Sequence, residues 1–355
     1  MISPNYIEIN GRKIGIGYNP YIVAEMSGNH NRDIKNALAL IKAAKKCGAD
    51  AIKLQTYTPD TITINHDNPE FIVNGGIWNG RKLYDLYEEA HTPWEWHEQL
   101  FRYAEEIGIT IFSSPFDLTA VDFLENLNCK AYKIASPEII DLELIKKVAL
   151  TKKPIIISTG MANKEEIKDA IEVAKNNGNN KVIILHCTSA YPTPISDSNL
   201  STINEISRLF NVNTGLSDHS LGIDVACYAC VLGACLIEKH FTLDRNKGGV
   251  DSEFSLNPNE LKKLVEESKK INSIIGNPAF GPTNAESISL KGRRSLYVVK
   301  KIRKGQEFSS EHIKSIRPGN GLKPKLLKKI IGLKAARDIE FGEPLDFNMI
   351  DEFSK

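Results

Sequence analysis

Eight short apolar segments recur along the chain, and amphipathic helical patterns lie between them. The apolar segments span residues 21–24, 51–54, 110–112, 131–134, 154–157, 182–185, 213–216 and 235–238. The helical patterns include residues 34–47, 119–127, 142–150, 164–177 and 201–210. Strands that alternate with helices form parallel βαβ units, and eight such units close into a (β/α)₈ TIM barrel. An open, doubly wound sheet is the alternative, but no GxGxxG motif follows the first strand.

The chain divides by pattern into four segments. Residues 1–20 are predicted to form an N-terminal β-hairpin, because apolar and polar residues alternate around the turn dipeptide Asn10-Gly11. The barrel is predicted over residues 21–275, and its last helix, 258–275, begins at a capping Asn257 or Asn259. Two prolines and two glycines indicate a linker at 276–290. Residues 291–355 are predicted to form a small α+β domain with strands at 295–299 and 335–339.

One predicted connection, residues 57–90, is longer than a turn from strand to helix requires. It contains the turn-rich, aromatic sequence NGGIWNG at 74–80. Long loops that follow barrel strands usually serve as lids or determine specificity. We expect the same of this segment.

Composition excludes several classes of protein. The chain of 355 residues is 41% hydrophobic and 25% charged, which is typical of globular proteins. No apolar run approaches the roughly 20 residues that cross a bilayer, so no membrane association is predicted. No basic segment followed by an apolar stretch opens the chain, and we expect a cytoplasmic protein without a signal peptide.

Charge is distributed unevenly along the chain. The formal net charge is +1, yet residues 291–355 contain 16 Lys and Arg against 8 Asp and Glu. A basic terminal domain is compatible with nucleic acid, a solvated surface or an anionic substrate. Aromatic residues that could stack on bases are not interleaved with these charges, so no nucleic-acid partner is predicted.

Six cysteines are scattered along the sequence and do not form a disulfide framework. Cys227 and Cys230 have CxxC spacing, which is compatible with redox or zinc chemistry. The pair lies in an Ala- and Val-rich helical pattern with no second pair nearby. We therefore interpret these cysteines as small buried residues of a helix.

Polar residues of catalytic type stand at the carboxyl end of nearly every predicted strand. In a (β/α)₈ barrel these ends converge on one mouth, where active sites lie. Loops are polar in any case, which accounts for serines, but charged residues that interrupt apolar strands are costly unless they are paired. The residues are Glu25, Lys53, Gln55, Ser113, Ser114, Lys133, Ser136, Glu138, Ser158, His186, Ser189, Tyr191, Ser217, Asp218, His219, Glu238, Lys239 and His240.

Two pairs among these residues indicate chemistry. His219 and His240 end neighbouring strands, and two histidines with water and a carboxylate suit a first-row divalent metal. Lys53 and Lys133 could hold phosphate and carboxylate oxygens. A lysine that forms a Schiff base with pyruvate, as in an aldolase, is the competing interpretation.

The ordered motifs resemble the sialic acid (nonulosonic acid) synthase family from end to end. They are AEMSGNH at 24–30, AIKLQT at 51–56, YKIASPE at 132–138, STGM at 158–161, HCT at 186–188, GLSDH at 215–219 and EKHFTLD at 238–244. The sequence IRPGNG at 316–321 resembles the antifreeze-like (SAF) domain of the same enzymes. The resemblance implies a TIM barrel, a C-terminal SAF domain and a transferase that forms a carbon–carbon bond between phosphoenolpyruvate and an acetamido-sugar.

The resemblance also implies roles for individual residues. A divalent metal, Mn²⁺ or Mg²⁺ and possibly Co²⁺, would be held by His219 and His240. Glu25 would handle the water that attacks the intermediate, with Glu138 as the second candidate. The residues expected to bind phosphoenolpyruvate are Lys53, Lys133, Ser136, Ser158 and Ser217, those expected to contact the sugar are Gln55, Tyr191 and Asp251, and Ser114 and Ser189 are further substrate-binding candidates.

Within the family, three stretches resemble the members that make pseudaminic acid. They are GGIWNGRKLYDLY at 75–87, HTPWEW at 91–96 and CTSAYP at 187–192. Sialic acid synthases proper have an asparagine that contacts N-acetylmannosamine where this chain has Ser189. The resemblance therefore implies a diacetamido-trideoxy-hexose substrate, and legionaminic and N-acetylneuraminic acid synthesis remain alternatives. It also implies a product used in cell-surface glycans, including those of flagellin.

The resemblance implies a domain-swapped homodimer as well. In this family the antifreeze-like domain of one subunit covers the barrel mouth of the other, so Arg317 would contact the sugar across the interface. Two other functions stay open at this point: a Schiff-base aldolase, and a non-catalytic carbohydrate- or ice-binding protein. The second is disfavoured because the C-terminal segment is rich in Lys and Arg rather than in regularly spaced small residues.

Overall fold

The computed structural model describes residues 6–353 and divides into two compact units, Met1–Gly276 and Asn277–Lys355. Residues 1–5 of the predicted hairpin and 354–355 of the predicted C-terminal domain lie outside the described residues. The first unit contains a two-stranded hairpin and a closed barrel of eight parallel strands, so the predicted (β/α)₈ fold is confirmed.

The N-terminal hairpin pairs β1 (Ile7–Ile9) with β2 (Arg12–Ile14) in antiparallel register. Asn10 and Gly11 form its turn with φ angles of 47° and 80°. Two consecutive residues of positive φ define the type I′ turn, and asparagine followed by glycine adopts it at low cost. Ile7, Ile9 and Ile14 are buried and join the core of the barrel unit.

The barrel strands coincide with the eight predicted apolar segments, and most extend beyond them at their carboxyl ends. Every strand residue is buried except Gln55. The chain closes the barrel by pairing the last of these strands with the first, His240 lying opposite Glu25. The strands are β3 (Tyr21–Glu25), β4 (Ala51–Thr56), β5 (Thr110–Pro115), β6 (Tyr132–Ile134), β7 (Ile155–Ser158), β8 (Val182–Cys187), β9 (Asn213–Asp218) and β10 (Leu236–His240).

Five of the eight longer helices around the barrel begin at short polar capping residues. Asp33, Asp141 and Asn163 each accept a hydrogen bond from a backbone amide of the first helical turn. Asn257 rather than Asn259 caps the last helix. The eight helices are α1 (Ile34–Cys47), α4 (Trp94–Ile107), α5 (Leu118–Asn126), α6 (Leu142–Leu150), α7 (Lys164–Asn176), α8 (Ser201–Phe210), α9 (Asp224–Val231) and α10 (Pro258–Ile275), with α2 (Pro59–Ile62) and α3 (Leu83–Ala90) before α4.

The long segment after β4 is less loop-like than its sequence indicates. It includes the short helices α2 and α3, and Ile72 and Lys82 form an isolated antiparallel bridge. Tyr57 lies at its base, where the ring is buried against Tyr87 and Phe116. Tyr57 and Tyr87, at the two ends of the segment, thus pack together, and Phe116 holds this pair against the barrel.

The second unit has its own core around β11 (Ser295–Val298) and β12 (Ile313–Ile316), which pair antiparallel. The strand predicted at 335–339 is wrong: within the described residues this stretch makes only isolated bridges, Ile302 with Ile339 and Ala335 with Ile350. Its alternation reflects Ala335 and Ile339 packing into the core rather than a continuous ladder. No helix among residues 6–353 is long and apolar enough to cross a membrane.

Candidate active site

Charged side chains from four barrel strands meet inside the barrel at its carboxyl end. Glu238 on β10 lies 3.6 Å from the ammonium nitrogen of Lys53 on β4 and 3.5 Å from that of Lys133 on β6. The two lysines belong to strands on either side of β5, so a carboxylate on β10 can reach both only across the interior. Glu25 on β3 completes the group through an ion pair of 2.5 Å with Lys53.

Mutual pairing keeps this buried group charged. Burial lowers the pKa of Lys53, but Glu238 and Glu25 raise it more, so its pKa lies above the ordinary lysine value. Burial raises the pKa of Glu238, but Lys133 and Lys53 outweigh burial and hold the pKa below its usual range. Lys133 has less compensation, since burial together with the nearby charge of Lys53 lowers its pKa despite Glu238. The site therefore presents two ammonium groups to an incoming anion, Lys133 being the more acidic.

Hydroxyl groups surround these lysines. Lys53 donates a hydrogen bond of 3.1 Å to the Ser114 hydroxyl, and Ser217 donates to Glu238 at 3.4 Å. The hydroxyl oxygen of Ser158 is buried without a hydrogen-bond partner. Gln55 lies two residues beyond Lys53 on β4, opposite Ser114 in the ladder, so both face the same side of the sheet.

A second group of side chains centres on the two histidines that end β10 and follow β9. The ring centroids of His219 and His240 are 5.3 Å apart. Tyr191 packs on His219 at 4.3 Å, and the Phe254 ring contacts both histidines at 6.0 Å and 4.8 Å. The indole of Trp78, from the long segment after β4, lies 5.3 Å from Tyr191. An aromatic wall therefore surrounds the histidine pair and extends into the segment predicted to be a lid.

Ser27 joins the histidine group to the lysine group. Its backbone N–H donates to Glu25 at 2.9 Å, and its hydroxyl donates a short hydrogen bond to Asp251. The same Asp251 oxygen lies 3.5 Å from Nδ1 of His240. Burial raises the pKa of Asp251, but His240 and Ser27 lower it by a larger amount, so the carboxylate form is favoured.

Ser136 and Ser189 approach each other over Gly160. The Gly160 N–H donates to the Ser136 hydroxyl at 3.1 Å, and a Cβ added at Gly160 would lie 2.1 Å from the Ser189 hydroxyl. Glycine is therefore required at 160, since any side chain would displace both serines. Cys187 lies beside them, 4.0 Å from Ser189 Oγ and 3.9 Å from Nδ1 of His219.

Glu138 lies in a 3₁₀ turn (Pro137–Ile140) that follows β6. Burial raises the pKa of this carboxyl group to about 7, and Lys133 and Lys53 only partly oppose the shift. One of its carboxylate oxygens is buried without a hydrogen-bond partner. Such a group can take up or release a proton near neutral pH.

The histidine pair fits a divalent metal ion. Nδ1 of His219 donates to the Thr188 carbonyl oxygen at 3.0 Å, which leaves Nε2 with a free lone pair. Nδ1 of His240 is buried and makes no hydrogen bond of good geometry. A ligand imidazole whose other nitrogen is held by a carbonyl group is the usual arrangement. Between residues 6 and 353 no cluster of three or more His, Cys, Asp or Glu forms a complete ligand set, so water or substrate oxygens would complete the coordination.

Arg317 is exposed in the second unit, directly after β12. The other predicted site residues lie at the carboxyl ends of the barrel strands or in the loops that follow them. Cys227 and Cys230 both lie on α9, where Cys230 is buried and Cys227 is partly buried. Burial raises the pKa of both thiols, so neither has the acidity of a reactive cysteine.

Sequence reasoning did not assign site roles to several residues that the structure places at the centre. Glu238 was recognised only as one polar strand end among many, yet it is the carboxylate that both lysines share. Ser27 and Phe254 carried no signal beyond their position next to Glu25 and Asp251. Lys239 points away from the mouth and pairs with Asp218, at 2.9 Å. The order of residues 238–240 is the sequence signal that could have separated them. Neighbouring residues of a strand point to opposite faces, so Glu238 and His240 share one face and Lys239 lies on the other.

Comparison with known proteins agrees with this architecture. The NeuB family matches residues 40–279, and the SAF domain matches residues 293–351. The chain belongs to the NeuB family. The pseudaminic acid synthase of Campylobacter jejuni subsp. jejuni (serotype O:23/36, strain 81-176) is 48% identical over 92% of this chain and 95% of its own length. The N,N'-diacetyllegionaminic acid synthase of C. jejuni subsp. jejuni (serotype O:2, strain ATCC 700819 / NCTC 11168) is 35% identical over 91% of this chain and 97% of its own.

Among solved structures, the N-acetylneuraminic acid (sialic acid) synthetase of Leptospira borgpetersenii serovar Hardjo-bovis, in complex with citrate, superposes with a TM-score of 0.72. It is 32% identical to this NeuB-family chain, and the match covers 81% of this chain and 95% of that chain. The family and its fold are therefore established by both sequence and structure.

Proposed function

We propose that this chain is a pseudaminic acid synthase. It condenses phosphoenolpyruvate with 2,4-diacetamido-2,4,6-trideoxy-L-altrose and releases pseudaminic acid and phosphate, the phosphate leaving by C–O cleavage. The observation that carries the proposal is the position of two buried ammonium groups, Lys53 and Lys133, next to the paired histidines at one barrel mouth. The choice of sugar rests on the identity with pseudaminic acid synthases, which exceeds the identity with the legionaminic acid synthase.

In this proposal the lysines bind the phosphate and carboxylate oxygens of phosphoenolpyruvate. Both currently face the Glu238 carboxylate, so an anion placed between them exchanges one set of charge-assisted hydrogen bonds for another. The hydroxyls of Ser114, Ser136, Ser158 and Ser217 supply further donors around the same oxygens. The free hydroxyl of Ser158 is an unused donor that such a ligand would satisfy.

His219 and His240 would hold the divalent metal, which supplies Lewis-acid polarisation of the sugar aldehyde when it is bound. Tyr191 and Asp251 border the histidines and would orient the open-chain sugar, with Gln55 and Ser189 as further contacts. Alignment of the sugar aldehyde carbon with the methylene carbon of phosphoenolpyruvate lowers the barrier by proximity. The identity of the metal, Mn²⁺, Mg²⁺ or Co²⁺, is decided by the assay below.

After the carbon–carbon bond forms, water adds to C2 of the former phosphoenolpyruvate, and one proton must leave that water. Glu25 is our first candidate to accept this proton, because its carboxylate lies beside Lys53, where phosphoenolpyruvate is expected to bind. Glu138 is the second, and its pKa of about 7 supports proton transfer near neutral pH. The proton from the water neutralises the alkoxide formed from the aldehyde oxygen. The C–O bond to the phosphate then breaks as the C2 hydroxyl loses its proton and becomes the keto group; the bonding electrons and that proton leave with the phosphate, and the keto acid remains.

We further propose that the enzyme acts as a homodimer in which Arg317 of one copy contacts the sugar bound to the other. Exposed apolar side chains rim the mouth where loops leave β5 to β8, and they support an interface there: Leu118, Ile140, Met161 and Ile195. The basic residues of the second unit are suited to an anionic substrate. Because phosphoenolpyruvate is a cytoplasmic metabolite, we propose that the reaction occurs in the cytoplasm, for the glycosylation of cell-surface proteins such as flagellin.

The test is phosphate release from phosphoenolpyruvate with a panel of acetamido-sugars, each assayed with Mn²⁺, Mg²⁺, Co²⁺ and EDTA. Release only with the diacetamido-trideoxy-altrose, and only with metal, is the expected result. Preference for N-acetylmannosamine or for the diacetamido-trideoxy-mannose would keep the reaction and overturn the sugar assignment. No release with any sugar, together with borohydride trapping of pyruvate on Lys53 or Lys133, would indicate a Schiff-base aldolase instead.

A further inference from the structure

Lys239 is a fully buried lysine that neither faces the mouth nor has an assigned role. It lies on β10 between Glu238 and His240, and its side chain points to the opposite side from theirs, towards the loop between β9 and α9. Only 1% of the residue is exposed. A lysine so placed needs partners for all three of its N–H groups, because an unpaired buried charge is costly.

All three partners lie in the segment that carries His219. The ammonium group donates to Asp218 Oδ2 at 2.9 Å, to the Ser220 carbonyl oxygen at 2.7 Å and to the Gly222 carbonyl oxygen at 2.8 Å. The other Asp218 oxygen accepts the Ser220 N–H at 2.8 Å. The residues on both sides of His219 are therefore fixed through one side chain.

The His219 residue itself is held by weaker means. Its Nδ1–H donates to Thr188, its carbonyl oxygen accepts the Thr193 N–H at 3.0 Å, and its ring packs on Tyr191. Thr188, Tyr191 and Thr193 all belong to the loop after β8, which has little regular structure. The β9–β10 ladder ends at Asp218, and the His219 ring contacts the His240 ring, but beyond His219 the side-chain hydrogen bonds to strand β10 come from Lys239.

We propose that Lys239 is a positioning residue for His219. By binding Asp218 and the two carbonyl oxygens beyond His219, it fixes the backbone from which the imidazole projects and keeps that imidazole directed at His240. The metal-binding part of this inference rests on the proposed function. The effect on the His219 side chain does not, and it can be measured in metal-free protein.

Two variants separate positioning from general stability. Lys239→Met leaves the Asp218 carboxylate buried and unpaired, so it is expected to unfold more easily. The double variant Asp218→Asn/Lys239→Met removes both charges and retains an oxygen for the Ser220 N–H, so we expect much of the stability to return. Both variants leave the carbonyl groups of Ser220 and Gly222 without a donor, and in both the His219 backbone is expected to be released.

The first measurement is Mn²⁺ affinity by calorimetry on chelator-treated protein. We expect it to fall roughly 10- to 100-fold in the double variant, as for other residues that orient a metal ligand. Asp218→Asn alone keeps the ammonium bonds to both carbonyls and is expected to stay within about threefold of wild type. The matched control is Lys153→Met, which removes an ion pair of 2.6 Å with Glu125 on the outside of the barrel and should leave Mn²⁺ affinity unchanged.

The second measurement is the ¹⁵N spectrum of the His219 imidazole in the metal-free protein. Wild type is expected to show one tautomer with Nδ1 protonated, and the double variant a shifted or exchange-broadened signal. An unchanged His219 signal in the double variant, or Mn²⁺ affinity equal to wild type, would overturn the inference. If wild type binds no Mn²⁺ but the His219 signal still changes in the double variant, the proposed function fails and the positioning role stands.

Discussion

Removing the Glu238 carboxylate should destabilise the barrel. It should also increase the stabilisation against thermal unfolding that bound anions provide. Glu238 is the acid that Lys53 and Lys133 share, at 3.6 Å and 3.5 Å, and all three side chains are almost fully buried. Glu238→Gln keeps the shape of the side chain but leaves two buried ammonium groups with only Glu25 to balance them. The variant therefore isolates the charge of Glu238 from its packing.

The expected magnitude follows from the burial. Removing one partner of a buried ion pair costs about 3–5 kcal/mol, because the remaining charge has neither water nor a counter-ion. For a unit of this size, that corresponds to a midpoint of thermal unfolding lower by roughly 6–20 °C. Inorganic phosphate or phosphoenolpyruvate can replace the missing carboxylate between the lysines. The midpoint shift that either anion produces should therefore be larger in Glu238→Gln than in wild type.

The assay is thermal unfolding of the full chain, with and without each anion, at constant ionic strength. Glu125→Gln is the matched control: Glu125 pairs with Lys153 at 2.6 Å, but both side chains are partly exposed. Loss of such a pair costs about 1 kcal/mol or less, and no anion rescue is expected. Equal midpoints for wild type and Glu238→Gln, with equal shifts on adding phosphate, would refute the account of this site.

Three further outcomes are expected. Burial raises the pKa of Glu138 from 4.5 to about 7, so its protonated form stabilises the folded protein fully below pH 4.5, and that stability is lost as the pH rises through 7. Between pH 4.5 and 8, the free energy of unfolding measured in urea should therefore fall by about 3 kcal/mol more in wild type than in Glu138→Gln. Parallel dependence of the two unfolding free energies on pH would contradict this. His219→Ala and His240→Ala should each abolish metal-dependent phosphate release while circular dichroism stays native; wild-type rates in both would remove the metal assignment. Trp78→Ala should raise the KM for the sugar roughly tenfold and leave the KM for phosphoenolpyruvate unchanged. Trp78→Phe keeps a ring beside Tyr191, so it should raise the KM for the sugar by less. Equal changes in the KM of both substrates would refute a role for Trp78 in sugar binding.

The barrel was predictable because its strands are buried on both faces. Each reads as a short apolar run whose β-branched residues leave little ambiguity, and the intervening helices begin at recognisable caps such as Asn163 and Asn257. The second unit was harder. Its segment 335–339 has the alternation of a strand, but only the pairing of distant residues decides whether a ladder forms, and the partner of β11 proved to be Ile313–Ile316.

The site was predictable as a set of positions but not as a set of contacts. The rule that barrel strands present their carboxyl ends to one mouth brought Lys53, Lys133 and the histidines together. It gave no means of knowing that Glu238 reaches across the barrel, because that depends on strand tilt and side-chain length. Nor did it separate Lys239 from its neighbours, since all three residues of the EKH sequence are polar and only the alternation of faces tells them apart.

The charge balance of the mouth explains why so many additional groups are needed there. The formal charges of Lys53, Lys133, Glu25 and Glu238 cancel, so the buried group is neutral before substrate binds. Phosphoenolpyruvate brings a carboxylate and a phosphate, and excess negative charge in a buried site is strongly unfavourable. Positive charge must therefore enter with the substrate, or a carboxylate must take up a proton. In the proposed function, a divalent cation held by the two histidines, the basic second unit of a partner copy and a carboxyl group that titrates near neutral pH would each meet that need. The groups that the proposed chemistry uses are then also those that electrostatics requires for the substrate to bind.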